Sequence, residues 1–226
     1  ITEQMALAVS RVMAEGSLYD PELAGLALKQ SRGDLIEAIF LIRAYRTTLP
    51  RFGTSSPIDT SAMQCKRRIS ATFKDIPGGQ ILGPTFDYTH RLLDFKLMAD
   101  GEVPEAEQDE PSQSSMPHIL ELLNKDDLIQ KECDDDNTAN DLTREPLTLP
   151  VNRATRLQAL ACGDEGFLLG LGYSTQRGFA RNHAFVGELR IGFVTVEMDI
   201  PELGFSIDLG MIEITECETV NQFQGS

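Results

Sequence analysis

The chain has no tryptophan, few histidines and a shortage of basic residues. Its 20 lysines and arginines are outnumbered by 35 aspartates and glutamates, which gives a formal net charge of -15. A broad nucleic-acid interface needs a basic face, so we expect no nucleic-acid partner. No apolar run has the length of a membrane span, and the first residues lack the features of a signal peptide. We therefore expect a cytoplasmic protein without a membrane partner.

The cysteines and histidines form no recognisable metal-binding motif. None of the four cysteines stands in a Cys-x-x-Cys pair, and we expect reduced thiols at Cys65, Cys133, Cys162 and Cys217. The three histidines, His90, His118 and His183, also lack the spacing of a zinc motif. The sequence therefore predicts no metal ligand and no cofactor bound by this chain alone.

The apolar pattern predicts helices, strands, a linker, and then helices and strands again. Asp20 and Asp34 are typical helix N-caps, and the apolar run after Asp34 predicts a helix that is buried on nearly every side. Alternation around Ile69 predicts a strand, and two alternating runs on either side of 201–204 predict a hairpin. Because strands and helices are grouped, we predict an α+β fold: N-terminal helices, then β-hairpin elements and helices packed on a largely antiparallel sheet.

Changes in composition divide the chain into four regions. They are an N-terminal helical region (1–50), a strand and glycine-rich loop region (51–98), an acidic, partly disordered linker with a short helix near 117–123 (99–150), and helices followed by a C-terminal β-hairpin (151–226). We expect little chemistry in the acidic linker. The last-strand glutamates Glu213, Glu216 and Glu218 are expected to be solvated. Both chain ends look cut, which we interpret as a piece of a longer protein.

Residues 74–91, KDIPGGQILGPTFDYTHR, combine glycine with many ionisable side chains. Gly78-Gly79 is typical of a hairpin turn, and also of a nest of backbone N–H groups that binds an anion. The ionisable residues that we single out beside the glycines are Lys74, Asp87, His90 and Arg91. A structural histidine and an Asp–Arg pair would give the same pattern, so a structural interpretation of this stretch remains open.

Residues 163–183, GDEGFLLGLGYSTQRGFARNH, form a second polar stretch. Asp164 stands where a helix cap belongs, and Arg177 complements a helix dipole, so both have a structural interpretation. Glu165 adds a second carboxylate, while Arg181 and His183 crowd beside a predicted strand. We predict a functional corner here, and we predict that it meets residues 74–91 in space.

Three long blocks closely resemble one known family. They are ALKQSRGDLIEAIFLIRAYRTTL, RRISATFKDIPGGQILGPTFDYTHRLLDF and GDEGFLLGLGYSTQRGFARNHAF. These blocks resemble the subunit I family of the bacterial carbon–phosphorus lyase core complex, which serves phosphonate catabolism. The resemblance implies further segments at both ends of the chain. It also implies that zinc is bound through the missing C-terminal region only.

The resemblance implies a transferase reaction on ATP. Alkylphosphonate replaces adenine at ribose C1, which gives α-D-ribose 1-methylphosphonate 5-triphosphate. The subunit alone acts as a nucleosidase on ATP and GTP, and its partners in the complex are subunits G, H and J. Two other functions remain open: an interaction subunit whose polar blocks are subunit interfaces, and a passive nucleotide-binding domain.

The implied chemistry selects residues from the two polar stretches. A triphosphate needs cations and backbone donors, and the candidate substrate-binding residues are Lys74, Gly78, Gly79, Arg91, Arg177 and Arg181. Loss of a purine from C1 passes through an oxocarbenium-like state that a carboxylate stabilises, and the leaving base needs a proton. The candidate catalytic residues are Asp87, Asp164, Glu165, His90 and His183.

Overall fold

The computed structural model describes residues 1–70, 77–82, 93, 95, 98, 116–129, 142, 145–177 and 186–220, without the side chains of 174–177 and 186. The helices of these residues are α1 (Ala6–Gly16), α2 (Pro21–Gln30), α3 (Leu35–Arg46), a 3-10 turn (Thr60–Ala62), α4 (Ile119–Lys125), α5 (Arg153–Gly163) and α6 (Glu165–Arg177). The strands are β1 (Gln64–Ser70), β2 (Val186–Ile200) and β3 (Phe205–Val220). The predicted α+β fold with N-terminal helices is confirmed.

The three N-terminal helices pack around an apolar core of their own. Asp20 begins α2, where its Oδ1 accepts hydrogen bonds of 2.9 Å from the backbone N–H groups of Glu22 and Leu23. Asp34 begins α3 in the same way. Both predicted N-caps are therefore confirmed. The buried residues of this core are Val9, Val12, Met13, Ala24, Ala27, Leu28, Ala38, Ile39 and Ile42.

Helix α3 is not buried on nearly every side, so that prediction was wrong. Ile36 is 82% exposed and Phe40 is 64% exposed, although both belong to the apolar run. Only Ala38, Ile39 and Ile42 of this helix are buried. The reason is that α3 packs against α1 and α2 on one side. Its opposite apolar side faces solvent.

The sheet is antiparallel with the strand order β1-β2-β3. Strands β2 and β3 form the predicted hairpin, which is therefore confirmed. Its turn is closed by the backbone N–H groups of Leu203 and Gly204, each 3.0 Å from the carbonyl oxygen of Ile200. Strand β1, from the region predicted as 51–98, pairs with β2 from the region predicted as 151–226.

The sheet has two differently covered faces, because side chains alternate along each strand. Helices α1 and α6 cover the face that carries Glu213 and Thr215, which we call the helix face. Residues 116–129, including α4, cover the opposite face that carries Arg68 and Glu188, which we call the α4 face. Each face therefore meets a separate part of the chain.

The cover of the α4 face comes from the region predicted to be an acidic linker. The short helix predicted there is confirmed as α4. Its surroundings differ from the prediction, because Met116, Ile119 and Leu123 are buried at 3%, 0% and 3% exposure. Met116 joins a cluster with Met63, Cys65 and Val194. This part of the linker region thus belongs to the core.

Candidate functional site

Asp164 and Glu165 lie at the junction of α5 and α6. Asp164 ends α5 in an extended conformation, with φ -149° and ψ 94°, and Glu165 begins α6. Oε1 of Glu15, from α1, accepts a hydrogen bond of 3.0 Å from the backbone N–H of Glu165. Arg43, from α3, donates to the carbonyl oxygens of Glu15 at 2.9 Å and Gly163 at 3.2 Å. The N-terminal helices therefore fix the position of this junction.

Three buried glutamates from three elements come together at this junction. Glu15, Glu165 and Glu213 are 7%, 4% and 8% exposed. Each carboxylate accepts a hydrogen bond from a nearby side chain: Glu15 from Arg11, Glu165 from Thr215, and Glu213 from Ser10 and Lys66. Buried charges are expensive unless they are paired and hydrogen-bonded. Arg11 and Lys66 form ion pairs with Glu15 and Glu213, whereas the partner of Glu165 is the neutral hydroxyl of Thr215. The group links α1, α6 and the helix face of the sheet.

Burial raises the pKa of Glu165 above its ordinary value of 4.5. The hydrogen bond from Thr215 acts in the opposite direction, while the charges of Glu15 and Glu213 raise this pKa further. A carboxyl group in such surroundings keeps its proton to a higher pH than an exposed one. Shifted carboxyl groups are common in functional sites, although ion-pair networks also produce them.

Asp164 differs from Glu165 in its exposure. Its side chain is 54% exposed, and its Oδ1 lies 3.8 Å from Nη2 of Arg11. A substrate in solution can reach this carboxylate directly. Two adjacent carboxyl groups in different environments are a pattern that enzymes use to separate the roles of acid and base. Of the two, Asp164 is the one that faces solvent.

Gly78 and Gly79 form a turn at the outer edge of β1. Both have positive φ, 87° and 78°, which glycine adopts without steric cost. The guanidinium of Arg68 donates to the carbonyl oxygens of Pro77 and Gly79 at 2.5 and 3.2 Å. The backbone of Arg68 also exchanges two hydrogen bonds with Ile81, of 2.7 and 2.9 Å. This geometry agrees with the interpretation as a hairpin turn.

The described parts of the two polar stretches do not meet. Gly79 contacts Arg68, which lies on the α4 face, whereas Glu165 contacts Thr215 on the helix face. The sheet therefore lies between Gly79 and Glu165. The remaining candidates, Lys74, Asp87, His90, Arg91, Arg181 and His183, lie outside the described residues. Arg177 is the last residue of α6, and its side chain also lies outside the description.

The α4 face holds buried ionic residues that the sequence did not indicate as a site. Arg68, Glu188 and Arg190 are 0%, 1% and 1% exposed. Oε1 of Glu188 lies 2.5 Å from Nε of Arg68 and 3.0 Å from Nε of Arg190. Both arginines donate to the carbonyl oxygen of Pro117 at 2.7 Å, and Glu188 accepts from the backbone N–H of Ile119 at 3.1 Å. One ionic group thus attaches residues 116–119 to the sheet.

His118 lies beside two glutamates of β3. Its Nδ1 is 2.8 Å from Oε1 of Glu218 and 3.7 Å from Oε2 of Glu216. Burial raises the pKa of Glu218, against the lowering effects of His118 and of a hydrogen bond from the backbone of Leu120. The expectation that the last-strand glutamates are solvated was wrong, because α1 covers Glu213 and α4 adjoins the other two. His118 and Glu218 are 100 positions apart, so no local motif reveals the pair.

A cavity of about 360 Å³ lies elsewhere, at the approach to α5. Its lining includes Glu145, Pro150, Asn152 and Thr155. Among the described residues, its lining includes none of the candidate site residues and one ionisable side chain, Glu145. The carboxyl groups of Asp164 and Glu165 at the α5–α6 junction lie outside this cavity.

Comparison with known proteins identifies the family. The family model of the bacterial phosphonate metabolism protein PhnI matches residues 1–226. The chain belongs to the PhnI family. Among the described residues, none of the helices has the length and apolar character needed to cross a membrane.

Three relatives match nearly the whole chain. The alpha-D-ribose 1-methylphosphonate 5-triphosphate synthase subunit PhnI of Rhizobium meliloti (strain 1021) is 58% identical over 100% of this chain and 62% of its own length. The protein of the same name from Escherichia coli (strain K12) is 54% identical over 99% of this chain and 63% of its own. The putative C-P lyase subunit protein HtxH of Stutzerimonas stutzeri is 42% identical over 100% of this chain and 63% of its own length. The chain thus spans less than two thirds of these relatives.

Proposed function

We propose that this chain is the part of a carbon–phosphorus lyase subunit that acts on the N-glycosidic bond of a purine nucleoside triphosphate. In the complex, with subunits G, H and J, it helps to replace adenine of ATP by an alkylphosphonate at ribose C1. Alone, it uses water instead and releases the base from ATP or GTP. The observation that carries this proposal is the 58% identity, over the whole chain, to a relative named as a subunit of the synthase of α-D-ribose 1-methylphosphonate 5-triphosphate.

The reaction breaks the bond between ribose C1 and a purine nitrogen. The electron pair of this bond leaves with the base, which takes up a proton, and C1 forms a bond to an oxygen of phosphonate or water. Positive charge develops on the ribose between these events, as in glycoside hydrolysis. A nearby carboxylate that the substrate can reach stabilises this charge.

Asp164 is the carboxylate that we assign to this role. It is exposed to solvent, it belongs to one of the blocks that carry the family resemblance, and the contacts of Glu15 and Arg43 hold its junction in place. Glu165 is only 4% exposed and accepts a hydrogen bond from Thr215. We therefore assign Glu165 the positioning of the helix end that carries Asp164.

The base-release assay tests this proposal. The full-length PhnI protein that contains this chain is incubated with ATP or GTP, and free adenine or guanine is quantified by chromatography. Asp164→Asn keeps the shape of the side chain and removes its charge. We expect base release to fall about 100-fold or more, the size typical of a lost electrostatic contact at a reacting centre.

Asp34→Asn is the matched control. Asp34 also stands at the start of a helix, and asparagine replaces aspartate at such caps with little cost. The control should keep the wild-type rate, and both variants should melt at the wild-type temperature. Full activity of a folded Asp164→Asn variant would show that Asp164 is not the catalytic carboxylate.

An interaction subunit is the second candidate function. The observation that favours it is the exposed apolar side of α3, where Ile36 and Phe40 are 82% and 64% exposed. Apolar patches on a protein surface often mark contacts with a partner. If intact PhnI releases no base from ATP or GTP under any condition in which the assembled complex does so, the chemistry belongs to another subunit.

A further inference from the structure

We propose that His118, Glu216 and Glu218 form a binding site for a divalent transition-metal ion, with Zn²⁺ as the preferred ion. One potential ligand atom from each residue lies within 4.8 Å of the other two. The site lies on the α4 face, whereas Asp164 adjoins the helix face, so this proposal does not depend on the proposed function. It assigns a metal to residues for which the sequence predicted none.

The distances suit a small ion. Nδ1 of His118 is 2.8 Å from the nearest oxygen of Glu218 and 3.7 Å from that of Glu216. Two ligands of a tetrahedral zinc ion with bonds of 2.0–2.1 Å stand about 3.3 Å apart. The two observed separations bracket this value, so a small movement of the side chains brings the ligands into range. Imidazole and carboxylate are both common zinc ligands.

The backbone holds these ligands in place. Glu216 and Glu218 are two positions apart on β3, which puts both side chains on the same face of the sheet. His118 immediately precedes α4, and Leu120 of that helix donates its backbone N–H to Oε2 of Glu218 at 3.3 Å. A ligand set on a strand and at the start of a packed helix is already organised before the ion arrives.

Glu216 provides the second, independent observation. Its Oε2 has less than 1 Å² of accessible surface and no hydrogen-bond donor among the described residues. A buried carboxylate oxygen without a donor is costly, and such atoms in a native protein call for an ion, a water or another explanation. The atom lies on the side of Glu216 that faces His118. A cation between these two residues satisfies it.

The surrounding charge also favours a cation. Glu188, Glu216 and Glu218 contribute three carboxylates to this part of the α4 face, and Arg68 and Arg190 contribute two guanidinium groups. Both guanidinium groups pair with Glu188 and donate to backbone carbonyl oxygens, although Nε of Arg190 makes no hydrogen bond among the described residues. The carboxylates therefore outnumber the guanidinium groups by one, which favours an added cation.

A protonated His118 is the competing explanation. It would pair with Glu218 at 2.8 Å, but Oε2 of Glu216 at 3.7 Å lies beyond hydrogen-bond distance. A bound ion serves all three residues at once. Three protein ligands also leave a fourth position on a tetrahedral ion, which a water molecule or a substrate oxygen can take.

Zinc content measured by difference tests the proposal. Full-length PhnI is stripped with a chelator, dialysed against Zn²⁺, and its metal is quantified by mass spectrometry. We expect His118→Gln and Glu216→Gln each to hold one equivalent of zinc less than the wild type. Because the comparison is a difference, zinc held elsewhere in the full-length protein cancels. Glu197→Gln, an exposed glutamate of β2, is the control and should match the wild type.

A second measurement uses the wild-type protein and therefore does not depend on the folding of a variant. In protein labelled with ¹⁵N-histidine, Zn²⁺ should move the Nδ1 resonance of His118 to the position of a metal-bound nitrogen, and Mg²⁺ should leave it in place. An Nδ1 resonance that responds to pH but not to Zn²⁺ would establish the ion pair with Glu218 and overturn the proposal. Equal zinc content of the wild type and the folded variants would overturn it too.

Discussion

Glu188→Gln should strongly destabilise the protein, because Glu188 is the charge that two buried arginines share. Its side chain is 0% exposed, and those of Arg68 and Arg190 are 0% and 1% exposed. The variant keeps a carbonyl oxygen that can still accept one hydrogen bond. It loses the negative charge, and its new amide N–H₂ donor faces the guanidinium groups of both arginines, which cannot accept a hydrogen bond.

The magnitude follows from the burial of the group. Breaking a fully buried ion pair by removing one partner costs about 3–5 kcal/mol, because the other charge is left without compensation. The arginines also donate to the carbonyl oxygens of Met116 and Pro117, which softens the loss. We therefore expect about 3 kcal/mol. For a chain of this size, that corresponds to a melting temperature lower by roughly 6–12 °C.

Thermal melting followed by circular dichroism measures this effect. Glu197→Gln is the matched control, because Glu197 lies on the same strand and is exposed. An exposed substitution of this kind should change stability by no more than about 0.5 kcal/mol. A loss below about 1 kcal/mol for Glu188→Gln would refute the reasoning, because it would mean that solvent or another anion compensates the arginines.

Three further predictions concern the turn, a helix cap and a buried acid. Gly79→Ala should lower the free energy of unfolding by about 1–2 kcal/mol, from its positive φ alone. Gly78→Ala should lower it more, because a Cβ there would lie 2.9 Å from the side chain of Met116. Equal melting temperatures of the two variants would contradict this prediction. Asp20→Ala should lower the free energy of unfolding, measured in urea, by about 1 kcal/mol, whereas Asp20→Asn should leave it almost unchanged. The raised pKa of Glu165 makes the folded state hold this proton more tightly, so stability falls as pH rises from 4.5 through the raised value. In thermal melts across this pH range, Glu165→Gln should not show this loss of stability. Parallel curves of melting temperature against pH for the variant and the wild type would contradict the prediction.

The parts of the fold that depend on local chemistry could be predicted from the sequence. Asp20 and Asp34 satisfy backbone N–H groups at helix starts, which requires only residues two or three positions away. The hairpin is equally local, because the alternation of β2 and β3 and the turn at 201–204 lie in one continuous stretch. For such features, the residues that decide the structure are neighbours in the sequence.

The rest depends on contacts that the sequence does not display. The apolar run of α3 indicates a helix, but it does not say how many sides of the helix are covered. Residues 116–123 look like part of an acidic linker. Their burial follows from the apolar clusters that they join and from the group of Glu188 and two arginines that binds them. The Asp164–Glu165 pair could be singled out from its position before a helix. Its partner Glu15 could not, because 150 positions separate Glu15 from Glu165.

Strand β3 connects the two candidate sites, because successive residues of this strand serve opposite faces. Thr215 binds the carboxylate of Glu165 on the helix face, while Glu216 faces His118 on the α4 face. A shift of one residue in the pairing of β2 and β3 would exchange these faces and disrupt both groups together. The long hairpin register, with Ile191 opposite Thr215 and Arg190 opposite Glu216, is therefore a requirement for both sites. The sheet holds the two groups of ionisable residues apart and at the same time fixes the position of each.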